Sequence, residues 1–581
     1  MASCGRAYLV THIMASSNSD LTQPLSPTTT LSSARLRPRI TRSHLFVLFL
    51  LTTTSILALP VLTIASFIFE PASDVWHHLA STVLSDYVIN SLLLLIGVAV
   101  GTLTMGITSA WLTAMYQFPG RRIVEWALLL PLAMPAYIIA YTYTGLLDFA
   151  GPLQTALREG FNWQYGDYWF PEVRSLIGAI CMLSFVLYPY VYLLARASFL
   201  EQSVVTMDAA RSLGAGPWKR FFRVALPMAR PAIVAGTSLA LMETLADYGT
   251  VQYFGISTFT TGIFRTWFGL GDQGAAAQLA AMLLGFVLLL ILVERYSRRQ
   301  AQYHQQSTGD SSHQRQPLSK LSGVIASILC TTPIILGFLI PFGLLTQWAM
   351  GETMDASFFS LVWNSLSLAF SAALLALTLA IILGYGQRLM PTRAVKTGVR
   401  VATLGYAVPG TVIAVGIVIP LAWIDNRIDQ WATDMFDHST GLIFSGSLFI
   451  LLFAYLVRFL AVALGSVESG LQTIKPSMDD SARSLGFSPF QVLRKIHLPI
   501  IRPSLFTAVL LVFVDVLKEL PATLILRPFN FNTLAVRAYE LASDEQLASA
   551  APAAITIVLT GLIPVILLSR SINRPNAGSS S

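Results

Sequence analysis

Charge is scarce in this sequence. Only 12% of its 581 residues are Asp, Glu, Lys or Arg, 54% are hydrophobic, and the mean hydropathy is +0.64. That balance excludes an ordinary soluble domain and makes lipid the solvent for most of the chain. Cysteine is scarcer still: Cys4, Cys181 and Cys330 lie far apart, the last two inside apolar runs. They offer neither a disulfide framework nor a metal cluster and read as packing residues. The eight histidines are scattered and no motif sets a nucleophile beside a base, which argues against a membrane-embedded enzyme. No filter-like segment stands out, which argues against a channel. There is also no G-x-x-x-x-G-K-S/T phosphate loop, so the chain does not bind ATP by that route.

What is present is a series of long apolar runs. Six fall at about 44–69, 88–115, 123–147, 174–196, 229–247 and 276–293, and six more at about 324–349, 361–388, 397–423, 441–465, 502–524 and 549–570. About 20 helical residues cross a hydrocarbon core of about 30 Å, so each run is a candidate span. The formal net charge of +7 raises nucleic acid as a partner, but the basic residues sit in short segments between spans. If the N-terminus is cytoplasmic, Arg121-Arg122, the 197–228 loop, Arg295 to Lys320, Arg393 with Lys396, and the 466–501 loop all fall on that side. The opposite loops are poor in Lys and Arg, and this asymmetry places both termini in the cytoplasm.

Residues 1–43 are rich in Ser, Thr and Pro and are expected to be a disordered cytoplasmic tail. A cleaved signal peptide is disfavoured, since the run from His44 to Phe69 is too long and lacks a clear small-residue cleavage site. A first six-helix half is expected over 44–293, a cytoplasmic linker over 294–323, a second half over 324–570 and a short cytoplasmic tail over 571–581. The fold class is therefore all-α and polytopic, with about 12 transmembrane helices in two parallel six-helix repeats.

The repeat is written most clearly in two loops, each between the fourth and fifth helix of its half. Asp208-Ala209-Ala210-Arg211-Ser212-Leu213-Gly214, then Pro217, Leu226-Pro227 and Arg230-Pro231, matches Asp480-Ser481-Ala482-Arg483-Ser484-Leu485-Gly486, Pro489, Leu498-Pro499 and Arg502-Pro503. Every pair is offset by 272 residues, and Asn90-Ser91-Leu92 with Asn364-Ser365-Leu366, and Pro135 with Pro409, match at 274. The acidic residue suits a helix N-terminus, the small residues allow close approach of another surface, and the glycine suits a left-handed stop. Gly216-Pro217 and Ser488-Pro489 then restart a helix. Basic, helical loops with small residues also occur where packing alone requires them, but two copies at one topological position favour docking.

This pattern resembles the EAA loop of type I ATP-binding-cassette importer permeases, with Asp in place of Glu and Ser481 in place of one Ala. The resemblance covers about residues 88–292 and 361–569. It implies that each loop is a coupling helix seated on a separate ATPase subunit. With both loops in one chain, it also implies two ATPase copies, ATP used only by that partner, a periplasmic substrate-binding protein and a place in the bacterial inner membrane.

The stretches Glu243 to Gly255, continuing to Trp267, and Lys518 to Thr523, continuing to Ala535, look like those of fused ferric-iron permeases. Fused thiamine permeases share the architecture. Glu243, Asp247, Asp515, Lys518 and Glu519 lie in or near the membrane, where ionisable groups are costly and mark candidate pathway or gate positions. Carboxylates suit a hard, highly charged cation. Lys518 paired with a carboxylate to hold two helices together is the structural alternative. Tyr188, Tyr190 and Tyr192 carry phenol oxygens but read as core or interfacial residues rather than metal ligands. The metal ligands, if any, stay unassigned. The rival from another class is a gradient-driven secondary transporter of twelve helices, which needs no docking loops.

Overall fold

The computed structural model describes residues 42–71, 73–164, 166–202, 210–299, 315–354 and 356–572. The expected tail up to residue 41, most of the linker, the last nine residues, and Asp208 and Ala209 of the first loop lie outside these. Among the described residues, ten helices are long and apolar enough to cross a membrane. Two further pairs pass that test together but bend, by 94° between Arg121–Ala133 and Ala136–Phe161, and by 77° between Pro489–Ile500 and Arg502–Leu517.

The first bend has a sequence cause. Pro135, with extended backbone, immediately precedes the helix Ala136–Leu147, and the residue before a proline is pushed out of the helical region. Pro409 does the same before Gly410–Phe436. The run expected at 397–423 is therefore divided: Arg393–Ala402 is a separate amphipathic helix, and the membrane helix starts at Gly410.

Each half is organised around three long helices. In the first, α1 (Leu84–Met115), α2 (Leu176–Glu201) and α3 (Leu226–Ala246) pack on one another; in the second, α4 (Ala356–Leu389), α5 (Leu448–Gln472) and α6 (Arg502–Leu517) do the same. The repeat is visible in single bonds. Asn90 Nδ2 donates to the Ser257 carbonyl at 3.0 Å, and Asn364 Nδ2 donates to the Asn532 carbonyl at 3.5 Å.

From Val47 onward the chain is one compact unit, because the halves interlock. The first half's Gln273–Arg299 packs on Gly410–Phe436, and Leu547–Ile572 packs on Leu130–Ala133. One buried cluster joins Val98, Ile138 and Leu187 to Leu520, Val536 and Ala554. At the linker, helix runs to Arg299 and resumes at Lys320, and Gln316-Pro317 pairs in parallel with Tyr116-Gln117.

Candidate functional site: two docking loops and a central cavity

In the second loop a helix runs from Pro476 to Ser484, and Gly486 stops it with φ +82°; Gly214 has φ +77° at the matching place. Only glycine enters that region without a Cβ penalty. Pro489 and Pro217 restart helices at the first position, Pro489 behind a capping box of Ser488 with Gln491. Both restarted helices then pass through a five-residue π-turn, Phe221–Ala225 and Leu493–His497, directly before Leu226-Pro227 and Leu498-Pro499. Each of those prolines lacks the N–H that a regular turn would use.

The acidic residue departs from its expected place. Asp480 lies in the body of the helix, exposed, with only a surface contact of 3.7 Å to Arg483, an interaction of small value. The acidic residue in the first turn is Asp479. Its carboxylate takes 2.9 Å from Arg388 Nε on α4 and 2.6 Å from the fully buried His497 Nε2. Burial works against ionisation there, but the hydrogen bonds and charges of Arg388 and His497 outweigh it and hold the carboxyl below the usual carboxylate range. The small residues also divide their work: Ala482 is buried inside the protein, Ala210 is half-buried and Ser481 is exposed. Among the polar residues that the loops expose stand large apolar side chains. Leu213 and Leu485 are 87% and 78% exposed, and Trp218 and Phe490, again 272 apart, are 76% and 68% exposed.

The five ionisable residues picked from the membrane segments come together. Glu243, Asp247, Asp515, Lys518 and Glu519 all line one cavity between the halves, with Tyr137, Tyr190, Tyr248, Tyr406 and Arg458. The space open to the centres of water-sized molecules is about 120 Å³, roughly ten times what one buried water needs.

The matched pair Asp247 and Glu519 does the same local job in each half. Asp247 accepts from the N–H groups of Thr250 and Val251 at 3.1 and 3.2 Å and from the Thr250 hydroxyl at 3.0 Å. Glu519 accepts from the N–H groups of Ala522 and Thr523 at 2.9 and 3.0 Å and from the Thr523 hydroxyl at 2.6 Å. Both carboxylates satisfy the free N–H groups that open the next short helix.

Beyond that the halves differ. Glu519 also takes Arg458 Nη1 at 2.9 Å, while Val186 occupies the position matching Arg458. A Cβ on Gly410 would meet Arg458 Nη1 at 2.2 Å and Glu519 Oε1 at 2.7 Å, so this glycine leaves room for the pair. The first half, with no arginine to accommodate, has Ala136 there.

Lys518 pairs with Asp515 on its own helix at 2.9 Å, so the pair does not join two helices. Glu243, the match of Asp515, makes no ion pair within 4 Å among the described residues. Among the described residues the buried Tyr137 hydroxyl has no hydrogen-bond partner. Tyr188 and Tyr192 point elsewhere, donating to the carbonyls of Leu128 and Glu125. Among the described residues no three His, Cys, Asp or Glu side chains converge as a metal site.

Sequence reasoning missed Arg458, although a lone arginine inside an apolar 25-residue helix is itself a signal. It missed Asp479 because the repeat pointed to its neighbour.

Comparison with known proteins agrees with this geometry. A family described as "binding-protein-dependent transport system inner membrane component" matches residues 102–302 and again 376–574. The Fe(3+)-transport system permease protein FbpB 2 of Haemophilus influenzae is 27% identical over 494 residues, covering 84% of this chain and 90% of that protein. A probable ABC transporter permease protein, y4fN of Sinorhizobium fredii, is 24% identical over 83% of this chain and 87% of its own length. The molybdenum transport system permease protein ModB of Escherichia coli is 28% identical over 34% of this chain and 86% of its own, which is the span of one half. The chain belongs to the family of binding-protein-dependent transport system inner membrane components, and it carries the family's membrane unit twice.

Proposed function

We propose that this chain is the membrane permease of an ATP-driven importer that takes ferric iron from a periplasmic binding protein and passes it into the cytoplasm by alternating access. It uses two copies of a separate ATPase, one on each docking loop, and leaves ATP chemistry to them. The lysine and arginine asymmetry of the loops supports cytoplasmic termini in a bacterial inner membrane.

The observation that carries the cargo assignment is the charge of the central cavity. Four carboxylates, Glu243, Asp247, Asp515 and Glu519, face only two cations, Lys518 and Arg458, and both cations are directly paired. The surplus is negative, which favours a metal cation and disfavours an oxyanion such as molybdate or sulfate. A relative that matches 84% of this chain is named for Fe(3+) transport, in keeping with that sign. The docking assignment rests on the paired exposed residues Leu213 with Leu485 and Trp218 with Phe490, which give each loop an apolar anchor for a partner.

Uptake of radiolabelled ferric iron, thiamine and molybdate into cells with and without this gene tests the reading. Iron uptake is expected to fall on deletion and to stop when ATP hydrolysis is blocked, while thiamine and molybdate uptake are unchanged. Unaltered iron uptake in cells with no second iron importer, or uptake driven by an ion gradient alone, would overturn it.

A further inference from the structure

The two docking loops are joined to the membrane core by different chemistry. In the second half, Arg388 near the end of α4 donates its Nε to Asp479 and its two terminal nitrogens to the carbonyls of Leu471 and Ile474, at 2.5 and 3.0 Å. His497, with no exposed surface, reaches Asp479 from the other side. Tyr385, one turn before Arg388, stands edge-on to the His497 ring and donates its hydroxyl to the Pro489 carbonyl at 2.7 Å. Three consecutive pieces, the end of α5, the docking helix and the restarted helix, are thus bonded to one helix of the core.

The matching positions in the first half are Ala114 for Arg388, Met207 for Asp479, Ala225 for His497 and Trp111 for Tyr385. None of the first three carries a charge. In their place Trp111 packs against Phe199 and Phe221, with ring centroids 5.2 and 5.0 Å away, and Gln202 Nε2 donates to the Ala225 carbonyl at 2.9 Å. Met207 lies outside the described residues, but its side chain is incapable of an ion pair. Aromatic packing and one neutral hydrogen bond hold less firmly than a set of charge-assisted hydrogen bonds, each roughly twice as strong as a neutral one.

We propose that Arg388, Asp479 and His497 are positioning residues that lock the second docking helix to α4 through groups that the first half does not carry at the matching positions, so that the second ATPase seat is held by a fixture of its own. This rests on the reading of both loops as ATPase seats. In a permease made of two identical chains the seats must be alike; fusion permits them to differ.

The test uses the full transporter, with its ATPase, in membranes. A photo-crosslinking amino acid is placed at Leu213 or at Leu485, each alone, and its yield of adduct with the ATPase is measured in four backgrounds: unaltered, Asp479→Asn, His497→Gln and Asp479→Glu, all normalised to the amount of chain in the membrane. The expected result is a yield at Leu485 about tenfold lower in Asp479→Asn, the shift that loss of one charge-assisted hydrogen bond produces, with the yield at Leu213 unchanged. His497→Gln, which keeps a nitrogen donor, is expected to lose less, and Asp479→Glu to recover most of the yield. General destabilisation would lower both positions together, and that result, or no loss at either, would overturn the proposal. If neither position gives an adduct in the unaltered protein, the docking reading fails and the inference falls with it, an outcome separate from equal yields.

Discussion

On the docking-loop side of the molecule the two halves place their buried charges differently. In the first half Glu125 bridges Arg121, at 2.5 Å, and Arg196, tying α2 to the short helix Arg121–Ala127, and Tyr192 adds a bond to the Glu125 carbonyl. At the matching places of the second half, Val395 and Val399 are buried without any polar partner to seek. The second half spends its charges on Arg388, Asp479 and His497 instead. At the cavity the same half adds Arg458 and Lys518, where its counterpart offers Val186 and Ala246. What the halves keep in common is backbone geometry: the left-handed glycines, the prolines that restart helices, the π-turns and the carboxylate caps. What they vary is the side-chain chemistry set on that shared backbone.

Substitutions made in pairs, one in each half, put that division to work. The largest difference is expected between Arg458→Met and Val186→Ala. The first leaves the buried Glu519 without its counter-charge, which typically costs about 3–5 kcal/mol. The second removes two methyl groups, about 1–2 kcal/mol. Thermal unfolding of the purified chain in detergent measures both, and equal losses would break the asymmetry.

A smaller contrast is expected between Gly410→Ala and Ala136→Gly. The added methyl would force Arg458 and Glu519 apart, at about 1–3 kcal/mol of overpacking and with loss of uptake. The reverse change in the first half costs only about 0.5–1 kcal/mol, with transport retained. Uptake per unit of membrane-inserted chain separates them.

For Gly214→Ala and Gly486→Ala the expectation is equality, since both glycines hold positive φ and each change costs about 1–2 kcal/mol. ATPase activity stimulated by the loaded binding protein should fall alike in both. A marked inequality would mean that the shared geometry is not what couples the loops.

The smallest effect on stability is expected from Trp218→Ala and Phe490→Ala, within about 0.5 kcal/mol because both are exposed. ATPase binding, followed by co-purification, should nonetheless weaken by about 1 kcal/mol or more for either anchor.

Much of the fold was legible in the sequence because it is carried by local rules. The apolar runs, the 272-residue offset, Gly214 and Gly486 and the restarting prolines each act through a few neighbouring residues. The convergence of Glu243, Asp247, Asp515, Lys518 and Glu519 on one cavity was legible for a related reason: ionised groups inside apolar segments have few places to go. The boundary at Pro409 was misread because hydropathy alone does not distinguish a membrane helix from an amphipathic helix followed by a break. The Arg458 to Glu519 pair and the Asp479 fixture were hidden because their partners come from helices about 60 and 90 residues away, and no periodicity records that. Asp479 shows the limit of repeat reasoning, which finds what the halves share and passes over what only one of them has.

The central claim is that one chain holds two ATPase seats. Native mass measurement of the assembled transporter, extracted with its ATPase, addresses it most directly. One copy of this chain with two copies of the ATPase is the predicted composition; two copies of this chain with two of the ATPase, or one with one in the fully active complex, would contradict it.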